Sequence, residues 1–98
     1  MEYEIIWSRR ARRDMKAIHV YIAADNAAAA DRVCEAIYNR VDLLRSAPRL
    51  AQRYECDALF EVRQTVSGKY RIFFAINDAQ LRIEVLTVWH GARQEPNL

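Results

Sequence analysis

The chain has 98 residues, 52% of them hydrophobic, with only two glycines and two prolines. That is enough apolar material for one core; it excludes a low-complexity or loop-dominated protein and predicts a single domain over 1–98. Fifteen basic residues face thirteen acidic ones, a net charge of +2, so bulk charge is excluded as the means of holding a polyanion and only local clustering could serve one.

In chain order, Tyr3, Ile5 and Trp7 alternate with Glu2, Glu4 and Ser8, the period of a short strand. Ser8 suits a helix N-cap, and Ala11, Met15, Ile18 and Ile22 then fall on one helical stripe. Arg9, Arg10, Arg12, Arg13 and Lys16 flank that stripe, opposed only by Asp14, and are expected to be solvated. Asp25-Asn26 breaks the pattern and Asn26 caps a second helix. Its stripe is Ala30, Val33, Ile37, Val41 and Leu44, closed by Pro48. The two form an αα-hairpin. Residues 48–57 are polar and aperiodic and read as a loop.

Three strands follow. Phe60, Val62 and Val66 share one parity; Tyr70, Ile72, Phe74 and Ile76 a second; Leu81, Ile83, Val85, Thr87 and Trp89 a third. Gly68 marks one turn and residues 77–80 the other. The order is β-α-α-β-β-β: an α+β fold with a helical hairpin packed on one face of a small, mainly antiparallel sheet. Side chains opposite one another in a hairpin share a face, so the register should sort apolar from polar. A three-residue loop, Ser67-Gly68-Lys69, pairs Val66 with Tyr70, Gln64 with Ile72 and Val62 with Phe74. Around Asp78-Ala79, Ile76 pairs with Leu81, Phe74 with Ile83 and Ile72 with Val85.

This register places Glu61, Arg63, Thr65, Arg71, Phe73, Ala75, Arg82, Glu84, Leu86, Val88 and His90 on the face away from the helices. Arg63 and Arg71 are then diagonal neighbours, roughly 7–8 Å apart, a pair that needs an anion, a carboxylate or water between them. Glu61 and Glu84 could neutralise them on an ordinary wet face. Phe73, Leu86 and Val88 add an apolar patch that a partner segment would cover.

Cys34 and Cys56 lack a metal-type spacing and are expected as reduced thiols. The acidic start and the lack of an apolar h-region point away from an export signal. The longest apolar run, Ile72–Ile76, is too short to span a bilayer, so a cytoplasmic protein with no membrane partner is expected. No metal or other cofactor is expected, because no phosphate loop, zinc spacing or nucleophile elbow is present. His19 reads as a structural or surface histidine. His90 can serve as general acid or base, and Arg63, Arg71 and Arg93 can hold a phosphate; together they are chemically sufficient for metal-free RNA cleavage through the 2′-hydroxyl.

Several motifs carry a resemblance. They are the Trp7-Ser8 strand-to-helix step, Ile22-Ala23 closing the first helix, Ala29-Ala30 opening the second and Ala47-Pro48 closing it. With them go Gly68-Lys69-Tyr70-Arg71-Ile72 and the terminal Val88-Trp89-His90-Gly91-Ala92-Arg93-Gln94-Glu95-Pro96. Together they resemble the RelE/ParE superfamily of bacterial type II toxins over essentially the whole chain. The resemblance implies a chromosomal or plasmid addiction module and a cognate antitoxin whose C-terminal segment wraps the toxin. It also implies oligomers with that antitoxin.

RelE-like members are ribosome-dependent mRNA endonucleases. Arg71 matches one of their arginines, Arg63 falls near a basic position on the sheet, and Arg93 resembles their C-terminal arginine. The ending Gln94-Glu95-Pro96-Asn97-Leu98 departs from that pattern, lacking a C-terminal tyrosine. The His-Gly-Ala-Arg-Gln-Glu-Pro run looks more like ParE-type toxins, which inhibit DNA gyrase without being nucleases. The expected partners are therefore a ParD-like antitoxin and DNA gyrase. The alternatives are a RelE-like nuclease acting on the ribosome and mRNA, or a non-toxic module that only co-represses its operon.

Overall fold

A computed structural model describes residues 2–93 and 95–98. Strand β1 (Glu4–Trp7) leads into helices α1 (Arg9–Ala23) and α2 (Ala27–Asp42). Two short 3-10 turns follow, Leu43–Arg45 and Pro48–Leu50. Then come β2 (Gln52–Arg53), β3 (Glu61–Ser67), β4 (Tyr70–Asn77) and β5 (Arg82–His90). The strands form one sheet in the order β1-β5-β4-β3-β2, antiparallel except where β1 runs parallel to β5. The expected element order holds, with the two-residue β2 added inside the segment read as a loop.

Local chemistry sets the helix boundaries. Ser8 is extended and its hydroxyl accepts the Ala11 N–H at 3.0 Å; Asn26 does the same for Ala29 at 3.0 Å. The α1 stripe buries Ala11 and Met15, and α2 buries Ala30, Ile37 and Val41. Ala11, Met15, Ile37 and Val41 meet Ile72, Phe74, Ile76, Ile83, Val85 and Val88 on the sheet, with Ile5, Trp7 and Ile18 packed around them. None of the described helices is long and apolar enough to cross a membrane. Both cysteines are free thiols.

The strand register differs from the sequence expectation in three places. Ser67 pairs with Tyr70, so the β3–β4 loop has two residues, Gly68 and Lys69. Gly68 has φ +57° and Lys69 does not have a positive φ, the pattern of a type II′ turn with glycine first, whose twist matches that of the strands. This one-residue shift turns over the face assignment of β3. Glu61, Arg63 and Thr65 now pair with Ile76, Phe74 and Ile72 on the helix side, and Val62, Gln64 and Val66 lie on the outer side.

The β4–β5 connection is longer than expected, with Asn77 opposite Arg82 and Leu81 at φ +50°. Finally, a β-bulge sets Phe73 against Thr87 but Phe74 against Val85, leaving Leu86 as the extra residue. Beyond the bulge, parity inverts. Val88 and His90 turn to the helix side, opposite Ile72 and Tyr70, and Thr87 and Trp89 turn outward.

Past Trp7, β5 keeps β4 on one side but has no described strand on the other, and α1 takes over that edge. Asp14 accepts the Val88 N–H at 3.0 Å and the hydroxyl of the fully buried Thr87. Ser8 covers the preceding position, donating its N–H to the Val85 carbonyl and its hydroxyl to that of Leu86.

Candidate functional site

The residues expected on one outer face are divided by the sheet. Arg71 and Phe73 of β4, and Arg82 and Glu84 of β5, lie on the outer side as expected. Glu61 and Arg63 do not, because the II′ turn shifts β3. Val88 does not either, because the bulge sends it into the core, where it is 4% exposed. Leu86 sits half-buried at the bulge itself. Phe73 is fully buried rather than an open patch. The chain covers it: the Tyr54 ring packs edge-on at 4.9 Å, and the Arg71 guanidinium lies over it at 4.9 Å.

Arg63 and Arg71 therefore occupy opposite faces and form no pair. Arg63 bonds Glu61 through Nε, and its Nη1 donates to the carbonyls of Ala51 at 2.7 Å and Arg49 at 3.3 Å. It anchors the segment around Pro48–Leu50 beneath β3. Glu61 also accepts from Arg49, at 3.0 Å, and Arg49 reaches Asp78 at 2.8 Å. The Tyr3 hydroxyl donates to the same Asp78 at 2.6 Å. Two cations hold Glu61 below its ordinary value, chiefly Arg63 and then Arg49. Asp78 is lowered by Arg49 and then Tyr3, and Arg49 is raised chiefly by Asp78 and then by Glu61.

Arg71 is the most elaborated of the expected residues. Its Nε and Nη2 donate to Gln64 Oε1 at 3.0 and 2.8 Å; Nη1 and Nη2 donate to the two carboxylate oxygens of Glu95 at 2.8 and 3.2 Å. The Tyr54 hydroxyl donates to Glu95 Oε2 at 2.8 Å. Arg71 and then Tyr54 lower the Glu95 carboxyl; Glu95 in turn raises Arg71, and is the main cause that raises the Tyr54 phenol. Tyr54, Gln64 and Glu95 had no place among the expected site residues. They come from three separate segments, and opposite charge was the single sequence cue linking Glu95 to an arginine.

His90 packs edge-on against Tyr70 at 5.5 Å, and its Nδ1 accepts the Ala92 N–H at 3.1 Å. Arg93 is exposed and lies over the Trp89 ring at 5.7 Å. Arg82 bonds Glu4 at 3.1 Å and Gln80 at 3.0 Å. Lys69, Arg71, His90, Gly91 and Ala92 line an open depression of about 480 Å3 at the β3–β4 turn. The α1 cations Arg9, Arg12, Arg13 and Lys16 are solvent-exposed, as expected, and His19 bonds Asp31 of α2 at 2.8 Å. Among the described residues no cluster of side chains suits a metal ion.

A small sheet backed by a capped helical hairpin, with its outer arginine tied to the chain's own C-terminal segment, defines a compact α+β class of protein. Residues 5–95 match the family model described as the ParE toxin of the type II toxin–antitoxin system parDE. The chain belongs to this family, and so is a type II toxin of the ParE/RelE superfamily.

Solved structures show the same fold. A chain of the chromosomal ParDE toxin–antitoxin system of P. aeruginosa aligns with TM-score 0.73 and 17% identity, covering 91% of this chain and 96% of that one. A chain of the archaeal RelE–RelB complex of Pyrococcus horikoshii aligns with TM-score 0.69 and 14% identity, covering 96% and 100%. One from a RelBE toxin–antitoxin complex of Mycobacterium tuberculosis aligns with TM-score 0.66 and 22% identity, covering 95% of each. No curated protein sequence matches significantly.

Proposed function

We propose that this protein is a ParE-like toxin that inhibits DNA gyrase and is neutralised by a cognate ParD-like antitoxin. The observation that carries this reading is the state of the arginines. A phosphate clamp needs guanidinium groups that face one site and are open to a ligand. Arg71 is engaged by Gln64 and Glu95, while Arg63 is turned to the other side of the sheet and held by Glu61 and two carbonyls. His90, the expected acid or base, spends Nδ1 on the Ala92 N–H. The antitoxin half of the proposal draws on similar toxins that occur with antitoxins: the P. aeruginosa ParDE system and the archaeal RelE–RelB complex.

A second reading is favoured by the shared depression at the β3–β4 turn, where Arg71, His90 and Lys69 come together. It is a RelE-like, ribosome-dependent mRNA endonuclease with Arg71 and Arg93 on the phosphate. One paired experiment separates the two. Purified toxin is expected to block gyrase supercoiling, while primer extension on mRNA from induced cells shows no new ends. Codon-spaced cuts with unaffected supercoiling would reverse the assignment.

A further inference from the structure

The cluster around Arg71 is built as a receptor and a ligand. The receptor half sits on the sheet: Arg71 on β4, Gln64 on β3 aligning the guanidinium, Phe73 beneath it, and the Tyr54 hydroxyl beside it. The ligand half is one carboxylate, Glu95, from the segment beyond the last strand. Their exposures differ accordingly: the Arg71 side chain is 19% exposed and that of Glu95 61%. Glu95 accepts three hydrogen bonds, two from one guanidinium fork and one from a phenol, which is the geometry of specific carboxylate recognition.

Besides Glu95, the terminal residues are held by the buried Pro96 and by Arg10, whose Nη1 donates to the Asn97 carbonyl at 2.7 Å. The segment has no regular secondary structure and Glu95, Asn97 and Leu98 are exposed, so it opens at lower free-energy cost than the sheet beside it. Removing Glu95 alone would leave a mostly buried guanidinium without its anion, which is unfavourable; exchanging it for another carboxylate would not.

We propose that Arg71, Tyr54 and Gln64 form a carboxylate-binding site that Glu95 occupies in cis, and that an acidic side chain of a bound protein segment takes its place and releases the terminal residues. This rests on the antitoxin reading above for the identity of that segment, but the site itself does not. A tethered carboxylate competes at an effective concentration in the millimolar range, so the free chain blocks its own site.

The probe is a synthetic peptide of residues 92–98, titrated into the full-length chain and followed by the Arg71 Nε–H and Tyr54 NMR signals. The Glu95→Gln chain is expected to bind it at least ten-fold more tightly than the unaltered chain. Peptide carrying Glu95→Gln should lose that gain. So should adding Tyr54→Phe to the chain, a change that keeps the ring on Phe73. Equal affinities for the two peptides, or no gain from Glu95→Gln in the chain, would overturn the site.

The partner half is tested in the complex with the antitoxin encoded beside the toxin. On binding, the backbone 15N order parameters of Glu95, Asn97 and Leu98 are expected to fall below about 0.6. A complex that forms with these order parameters unchanged refutes displacement and leaves the antitoxin reading standing. If that antitoxin does not bind at all, the antitoxin reading fails, and the peptide titration still decides the site.

Discussion

Gly68 shows how much one residue can decide. A Cβ there would meet no atom within 4 Å, so the position is sterically open, yet its φ of +57° lies where side chains are disfavoured. Gly68→Ala is expected to cost about 1 kcal/mol, read as a lower urea midpoint with an unchanged slope. Asp14 makes a larger contribution from an unexpected place. It lies within the arginine cluster of α1, but its carboxylate is turned inward, on the Val88 N–H and the buried Thr87 hydroxyl. Asp14→Ala strands both donors and is expected to cost about 2–3 kcal/mol, whereas Asp14→Asn, which can still accept, should cost less. Chemical denaturation of the two variants side by side checks the order. The same contact explains why the cations of α1 stay unopposed although an acid stands among them in sequence.

At the scale of elements, the chain Tyr3–Asp78–Arg49–Glu61–Arg63 ties four regions together: the start of β1, the β4–β5 turn, the Pro48–Leu50 turn and β3. Both carboxyls have folded-state values below their unfolded ones. Their stabilisation is therefore complete above the ordinary carboxylate range and is lost as pH falls through the lowered values, because the unfolded chain takes up protons first. Thermal melts between pH 7 and pH 2 should show Tm falling at the acid end, and Arg49→Ala should flatten that fall.

How far the elements were legible follows from what sets each one. The caps Ser8 and Asn26, and the stripes through Met15 and Ile37, depend on neighbours within a turn or two of helix, and they appear where periodicity puts them. The faces of β3 and the end of β5 do not. They turn on whether the loop holds two residues or three, and on Leu86 standing out of register. Apolar sorting favoured the wrong answer for β3 because Val62 is buried on the outer side, and no local pattern announces the Tyr54 ring that covers Phe73 on that face. The outer-face position of Arg71 was legible from parity; its carboxylate partner, 24 positions away, was not.

For the whole molecule, the arginines divide by what they hold. Arg45, Arg49, Arg63, Arg71 and Arg82 are spent on contacts within the chain. Arg9, Arg12 and Arg13 extend from α1 with no ion pair among the described residues. Near-zero net charge thus conceals a surface that is basic on one helix and internally balanced across the sheet. The first strand supplies a last test of how the whole is joined. Its single neighbour in the sheet is β5, the final one. A chain ending at residue 80 lacks that neighbour and the Ile83–Val85 part of the core, and is expected to show no cooperative melt by circular dichroism.

That arrangement has a consequence during synthesis. The helical hairpin can form while translation continues, because its contacts are local. The pairing of β1 waits until β5 has been made, 78 positions further along the chain. The finished sheet, and any surface built on it, exists only after residues 82–90 have been made and have left the ribosome. Until then Met15 and Ile37 of the hairpin have no sheet to pack on, so the unfinished chain carries an exposed apolar face and none of the finished surface.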